Sequence, residues 1–507
     1  MSFDPTDIGW RLGRSRVPHG VDLWCRYDRT CGVYGEQGSG KTLDLLAPAM
    51  LAHRGPGLAT LTKLEDLLLT AGRRQVPLHE GALPRPIAVL DPFGAAPGLP
   101  QLTWDPIAGC VDPTVATRRA RAFAAGTVTG AVAGGRQDSA ARFYAQETGK
   151  VLQGFLHAAA LTGRSMEHVL EWVANPVAAE QPAEILQQHP HAAPRWDGLL
   201  HGALHGSAET VGNTITTVQQ AMDLFFNPDI LARCVPTRSR PATNIEDLIA
   251  AQGTVYLLGR EDPYASAAPL MTAIAEHVLD TALWMATTSP HGRLTPSFLA
   301  CLDELPSTTP LPTLRVRMAN ERALGLSFIY ASQTWKQMVV SYGEDEARSV
   351  FGLTNNLVIF GGGKDIHFYR ELSDLIDDVR TSRQTVTDGP GGIGTSRAGE
   401  WERVMRPGDI RRIPQRQALV IAGNAPPIIA KLSRCIDGSD GQKLKAEQAA
   451  LRQHVMAARQ SKPDLTRRTA AAVAYSRANL LTPDTGAGDE SAASASASSG
   501  VGQWPWG

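Results

Sequence analysis

The sequence has no excess of charge of either sign: 49 lysines and arginines face 50 aspartates and glutamates, a formal net charge of −1. That excludes a surface uniformly adhesive to nucleic acid, although a local basic channel needs only a few charges in the right place. Paired cysteines are lacking too. Cys25, Cys31, Cys110, Cys234, Cys301 and Cys435 stand alone without CxxC spacing, which fits reduced thiols better than a disulfide framework or a zinc site. There is no uninterrupted run of about 18 apolar residues, so no membrane span is expected. The polar start Met1-Ser2-Phe3-Asp4-Pro5 lacks the layout of a secretion signal. The expectation is a soluble, cytoplasmic protein. At 507 residues and 43% hydrophobic content, the chain is long enough for two or three packed domains.

Short apolar runs bounded by turn residues predict strands at Cys31–Tyr34, 57–61, 87–90, 254–258, 298–302, 326–331, 357–360 and 418–422. Helical patterns lie between many of them, the signature of a mostly parallel sheet covered by helices. Residues 112–235 interrupt this alternation with alanine-rich helical patterning, notably over 142–161 and 208–226. The expected organisation is an α/β nucleotide-binding domain in two parts, 1–111 and 236–437. An all-α domain is inserted at 112–235, and a tail follows over 438–507. In that tail, 441–476 reads as a loosely attached helix and the Gly/Ala/Ser-rich 483–507 as disordered.

Gly35-Glu36-Gln37-Gly38-Ser39-Gly40-Lys41-Thr42 matches GxxxxGK[ST] in full. In that pattern glycines let successive backbone N–H groups turn toward phosphate oxygens, the lysine reaches the β- and γ-phosphates, and the threonine hydroxyl ligates Mg²⁺. A strand precedes the loop and an apolar-periodic helix over 41–53 follows, whose N-terminus favours an anion. Pro48 should kink or shorten that helix. The run Phe298–Leu302 ending in Asp303-Glu304 fits the partner acidic strand, Asp303 holding the metal and Glu304 acting as general base. Ile87–Leu90 followed by Asp91 is a second candidate, but Pro92 stands where the second acid belongs.

Several segments in order over 32–432 resemble the type IV coupling proteins of bacterial conjugation, the TraG/TraD group, with the FtsK/HerA pumps as more distant kin. They are Leu46-Ala47-Pro48, the run 58–67, Val89–Gly94, Trp104-Asp105-Pro106-Ile107, Leu302–Ser307, Arg322–Leu326, Tyr330–Thr334 and Val340–Gly343. The resemblance implies a RecA-like P-loop ATPase using ATP and Mg²⁺, assembled as a homo-oligomer, a hexamer by analogy. It implies that Arg322 is an arginine finger for a neighbouring subunit and Gln333 a γ-phosphate sensor. A solvated helix arginine remains open for Arg322, and Arg315 or Arg317 could take the finger's place. The implied partners are DNA, relaxosome proteins and secretion-channel proteins. Family members commonly begin with two membrane-spanning helices; here the residues before the P-loop are polar, so a separate anchor would be needed at the inner face of the membrane.

The expected function is an ATP-driven pump of DNA or DNA–protein substrate into a type IV secretion system. An ATP-switched substrate receptor with little turnover, or a translocase of the FtsK/HerA type outside conjugation, are the alternatives. Arginine-rich stretches at 315–322, 403–416 and 452–468 are candidate phosphate contacts or solvated faces. Gly361-Gly362-Gly363-Lys364 lacks P-loop spacing and reads as a turn. His157, His201 and His205 read as ordinary residues, and Trp172 and Trp196 as core anchors.

Overall fold

β-branched and apolar runs with no polar interruption can rest only where both faces of a strand are covered. The computed structural model, which describes residues 4–17, 20–128, 137–259, 266–389 and 392–461, places eight such runs in one sheet. The strands are β1 (Gly9–Val17), β2 (Asp22–Arg26), β3 (Cys31–Tyr34), β4 (Gly57–Leu61), β5 (Ile87–Leu90), β6 (Thr254–Leu258), β7 (Phe298–Leu302), β8 (Leu326–Ser332), β9 (Asn356–Phe360), β10 (Asp378–Gly389), β11 (Gly392–Arg403), β12 (Gln417–Ala422) and β13 (Ile428–Lys431). The eleven-stranded order is β2-β1-β13-β12-β9-β3-β8-β7-β4-β6-β5. From β9 to β5 neighbouring strands are parallel, and β12, β13, β1 and β2 extend the sheet antiparallel. The mixed α/β, mostly parallel architecture expected from the sequence is the one observed.

β8 lies between β3 and β7. The strand carrying Asp303-Glu304 therefore does not adjoin the strand carrying the glycine loop, and the end of β8 points between the two. Both faces of the sheet are covered. One core gathers Tyr34, Phe298, Phe328 and Tyr330, and the other Cys31, Val33, Tyr256 and Ile329.

From Pro113 to Arg233 the described residues form helices and their connecting turns, with no strand. Asp112 caps the first helix, Pro113–Ala125, by accepting from Thr114 N at 2.7 Å. The two chain ends of this segment run side by side: Trp104 N donates to Arg233 O at 3.0 Å and Thr243 N to Thr103 O at 2.8 Å. Two adjacent exits from the sheet are what a long insertion requires.

Contacts divide the chain into Met1–Met456 and Ala457–Gly507. In the first unit the helix beginning at Gly441 is not loosely attached. Leu444 and Val455 are buried, Arg73 pairs with Glu447 at 3.1 Å, and Gln448 donates to Glu65 O at 3.0 Å. Leu444, Leu451 and Val455 recur on one helix face, a stripe that alanine and glutamine neighbours dilute in the sequence. Of the second unit only 457–461 is described, as the end of that helix, and the residues expected to be disordered lie outside the described ones. β10 and β11, a twelve-pair antiparallel ribbon, were not expected, because their polar, glycine-rich sequence has no apolar run.

Candidate nucleotide-binding site

β3 delivers the glycine loop at the carboxyl end of the parallel strands, where α/β sheets open their crevices. Gly38 and Gly40 have φ of +80° and +107°, a region that side chains disfavour. A Cβ on Gly40 would stand 2.7 Å from Asp44 Oδ2, and one on Gly35 would stand 2.7 Å from Ser39 Oγ. The loop thus has room for a ligand only because these positions carry none. The helix that follows opens with a wide turn, Thr42–Leu46, in which Ala47 N donates to Thr42 O, before a regular segment, Ala47–Ala52. Pro48, which has no N–H to return to Asp44, sits just after that wide turn. The shortening expected from the sequence takes this form.

Lys41 is buried, with Nζ 2.6 Å from Gly35 O, 3.3 Å from Glu36 O and 3.6 Å from Glu304 Oε1. Thr42 Oγ1 donates to Asp303 Oδ2 at 3.1 Å. Asp303 is held from behind: its carbonyl accepts from Thr60 Oγ1 and Thr308 Oγ1, both at 3.1 Å. Glu304 is left-handed, φ 49° and ψ 43°, and its N–H donates to Asp303 Oδ1 at 3.1 Å. Gln333, the first residue beyond β8, lines the cleft with Glu304, whose Oε2 is buried without a partner. Burial raises the pKa of both acids, and the Lys41 ammonium opposes that rise in each.

These groups line a cleft of about 520 Å³ together with Thr62, Lys63, Asp66 and Ser307. Sequence reasoning did not assign Lys63, Asp66, Ser307 or Thr308 to the site. Lys63 and Asp66 follow β4, and only the β7–β4 pairing brings that strand's end beside Asp303. Among the described residues no group of His, Cys, Asp and Glu forms a ready-made metal cage. The donors here, one hydroxyl and one carboxylate beside a phosphate cradle, instead suit Mg²⁺, which takes few protein ligands and completes its shell with phosphates and water.

Arg322 does not join the cleft. It begins a short turn before β8, at the amino end of the parallel strands and opposite the cleft, and its Nη1 donates to Asn355 Oδ1. Of the alternatives, Arg317 is buried among Glu276, Asp280 and Glu321, and Arg315 pairs with Glu346 at 2.9 Å. Asp91 turns inward and caps its own loop, accepting from Ala95 N and Ala96 N at 2.9 and 2.6 Å.

Gly361–Gly363 is an irregular segment after β9, Gly362 N donating to Arg411 O. His157 is a core residue between Cys110 O and Ala193 N, and Trp172 is buried. In the arginine-rich stretches Arg403, Arg412, Arg416 and Arg452 pair with carboxylates. No helix among the described residues is long and apolar enough to cross a membrane.

Fold and cleft together define a P-loop nucleotide-binding protein of RecA-like architecture. Residues 297–415 match the family described as the TraM recognition site of TraD and TraG. The bacterial conjugative coupling protein TrwBΔN70 shares the fold, at TM-score 0.56 and 19% identity over 80% of this chain and 85% of that one. Plasmid coupling protein TrwB in complex with ADP and Mg²⁺ matches at TM-score 0.55 and 19% identity, over 80% and 86% of the two chains. TrwB with the non-hydrolysable analogue ADPNP matches at 0.55 and 18%, over the same shares. No curated protein matches the sequence. The chain is therefore similar to the type IV coupling proteins, in sequence over 297–415 and in fold over four-fifths of its length.

Proposed function

We propose that this chain is an ATPase of a conjugative coupling apparatus, hydrolysing ATP between subunits of a ring, a hexamer by analogy, to move DNA or a DNA–protein substrate toward a secretion channel. Gly35–Thr42 would wrap the phosphates, and Thr42 and Asp303 would hold Mg²⁺, which supplies positive charge to the phosphate oxygens. Glu304, held left-handed with one oxygen unpartnered, would take the proton of the attacking water, and Gln333 would orient that carboxylate. The TrwB complexes with ADP, Mg²⁺ and ADPNP support the choice of ligand.

One observation carries the ring reading. Arg322 and the cleft stand at opposite ends of β8, seven residues long, a separation of roughly 20 Å at ~3.3 Å per residue. That is beyond an arginine's reach, so a phosphate served by Arg322 would have to belong to another subunit. An arginine supplied in trans makes turnover depend on assembly. Relaxosome and channel proteins are the proposed partners.

The test is ATPase rate against protein concentration, with and without single-stranded DNA. The rate per subunit is expected to rise with concentration and with DNA; a rate independent of both overturns the ring motor. Glu304→Gln separates the motor from an ATP-switched receptor, since it abolishes transfer only if hydrolysis drives it.

A further inference from the structure

Behind Arg322 lies a buried ionic knot that nucleotide binding does not use. Arg317 is 3% exposed, and its guanidinium is fully engaged. Nη2 lies 2.6 Å from both Glu276 Oε2 and Asp280 Oδ1, Nη1 lies 3.1 Å from Glu321 Oε1, and Nε donates to Thr313 Oγ1 at 2.6 Å. Glu276 and Asp280 belong to the Ala268–Thr288 helix, which packs against the first helix of the all-α segment. Asp280 Oδ2 lies 3.5 Å from Arg118 of that helix. Glu321 directly precedes Arg322, and its carbonyl accepts from Leu326 N at the start of β8.

The path continues beyond Arg322. Asn355 Oδ1 accepts from Arg322, from Thr30 N and from Thr30 Oγ1, and Thr30 precedes β3 and its glycine loop. Arg118, Asp280, Arg317, Glu321, Arg322, Asn355 and Thr30 thus form a continuous chain of polar contacts and one peptide link that ends at the amino ends of β8, β9 and β3. It runs from the all-α segment to the strand that holds the phosphate loop.

We propose that Arg317 is a positioning residue that sets the placement of Arg322, and that through Asp280 and Arg118 the all-α segment adjusts that placement. A partner bound to the helices would then alter hydrolysis at the neighbouring subunit. Burying three charges, Arg317, Glu276 and Glu321, beside a partly exposed Asp280 is hard to justify for stability alone, because apolar packing of similar volume often serves as well. A fixed arginine fork with three carboxylates does define one geometry. The inference rests on the proposed trans role of Arg322.

The test is a double-mutant cycle on the full chain, read by single-turnover ATP hydrolysis at assembling concentrations and by affinity for a fluorescent ADP analogue. Arg322→Ala is expected to lower the rate about 10³-fold. Arg317→Lys, which keeps the charge and loses the fork, is expected to lower it on the order of tenfold, with analogue affinity unchanged. The double variant is expected to match Arg322→Ala alone. An equal additional loss from Arg317→Lys in the Arg322→Ala background overturns the positioning role and leaves the trans role standing. No loss from Arg322→Ala overturns both. Should Arg317→Lys fail to fold, Arg118→Ala at the exposed end of the path carries the same cycle. A severalfold loss present only when Arg322 is intact supports the relay, and equal rates with and without Arg118 overturn it.

Discussion

Lys41 Nζ stands 3.6 Å from Glu304 Oε1, so the cation of the glycine loop and the candidate base neutralise each other. In the proposed reaction, phosphate at Lys41 would compete with that carboxylate and free it toward the attacking water, so that ligand binding and base activation would be one event. The same pair keeps two buried charges matched, which an isolated charge in that position would not be.

Glu304→Gln should keep nucleotide binding and lose turnover by a factor of about 10² to 10⁴, the usual contribution of a positioned base. Lys41→Ala should lose binding itself. Paired measurements of analogue affinity and hydrolysis rate check both. Glu304→Gln turning over at the unmodified rate would remove the carboxylate from the chemistry.

Gly40→Ala should abolish nucleotide binding without unfolding the chain. The new Cβ meets Asp44 Oδ2 at 2.7 Å at a residue whose φ is +107°, so the loop must open. Titration with a fluorescent nucleotide, beside a thermal melt, is the check. Gly81, with φ +81° and nothing within 4 Å, is the control: alanine there should leave binding intact.

Thr308→Val should lower kcat by about tenfold with nucleotide affinity unchanged, and Thr308→Ser should restore it. The hydroxyl donates to the carbonyls of Asp303 and Glu304 at 3.1 and 3.0 Å and so holds the left-handed turn that aims the carboxylate. Steady-state kinetics on the two variants separates this role from a packing effect, since valine preserves volume.

Stability should fall as pH drops from about 6.5 toward 4. Burial, reinforced by the nearby Arg119 charge, lowers the His277 pKa to about 4, and Trp104 Nε1 donates to its Nδ1 at 2.7 Å. Burial also lowers His53 to about 3. In this window the unfolded chain binds protons that the folded chain refuses. Each histidine then removes about 1.4 kcal/mol of stability per pH unit, and nothing above its unfolded pKa. Urea melts at pH 7 and pH 5 measure this, and His277→Gln should make the difference between them smaller.

Much of the site was legible because its chemistry is local. A GxxxxGKT loop needs only its own backbone torsions and the strand and helix on either side, all within 31–53. The eight buried strands were legible for a similar reason, since a strand covered on both faces must be apolar at every position. The β10–β11 ribbon was not, because its pairing needs no apolar run and its polar, glycine-rich sequence gives no such signal. Nor was the packing of the Gly441–Ser461 helix, whose few apolar contacts are spaced among alanines and glutamines.

The sequence alone determined the glycine loop, the Asp303-Glu304 strand end, the parallel α/β class and a long helical stretch at 112–235, because each follows from residue type at short spacing. Only the tertiary structure decided which separate strand ends share a cleft. It is the order β3-β8-β7-β4 that brings Gln333, Lys63 and Asp66 to the phosphate loop. Strand order depends on which long-range pairings bury the most surface together. No local window of sequence contains that information.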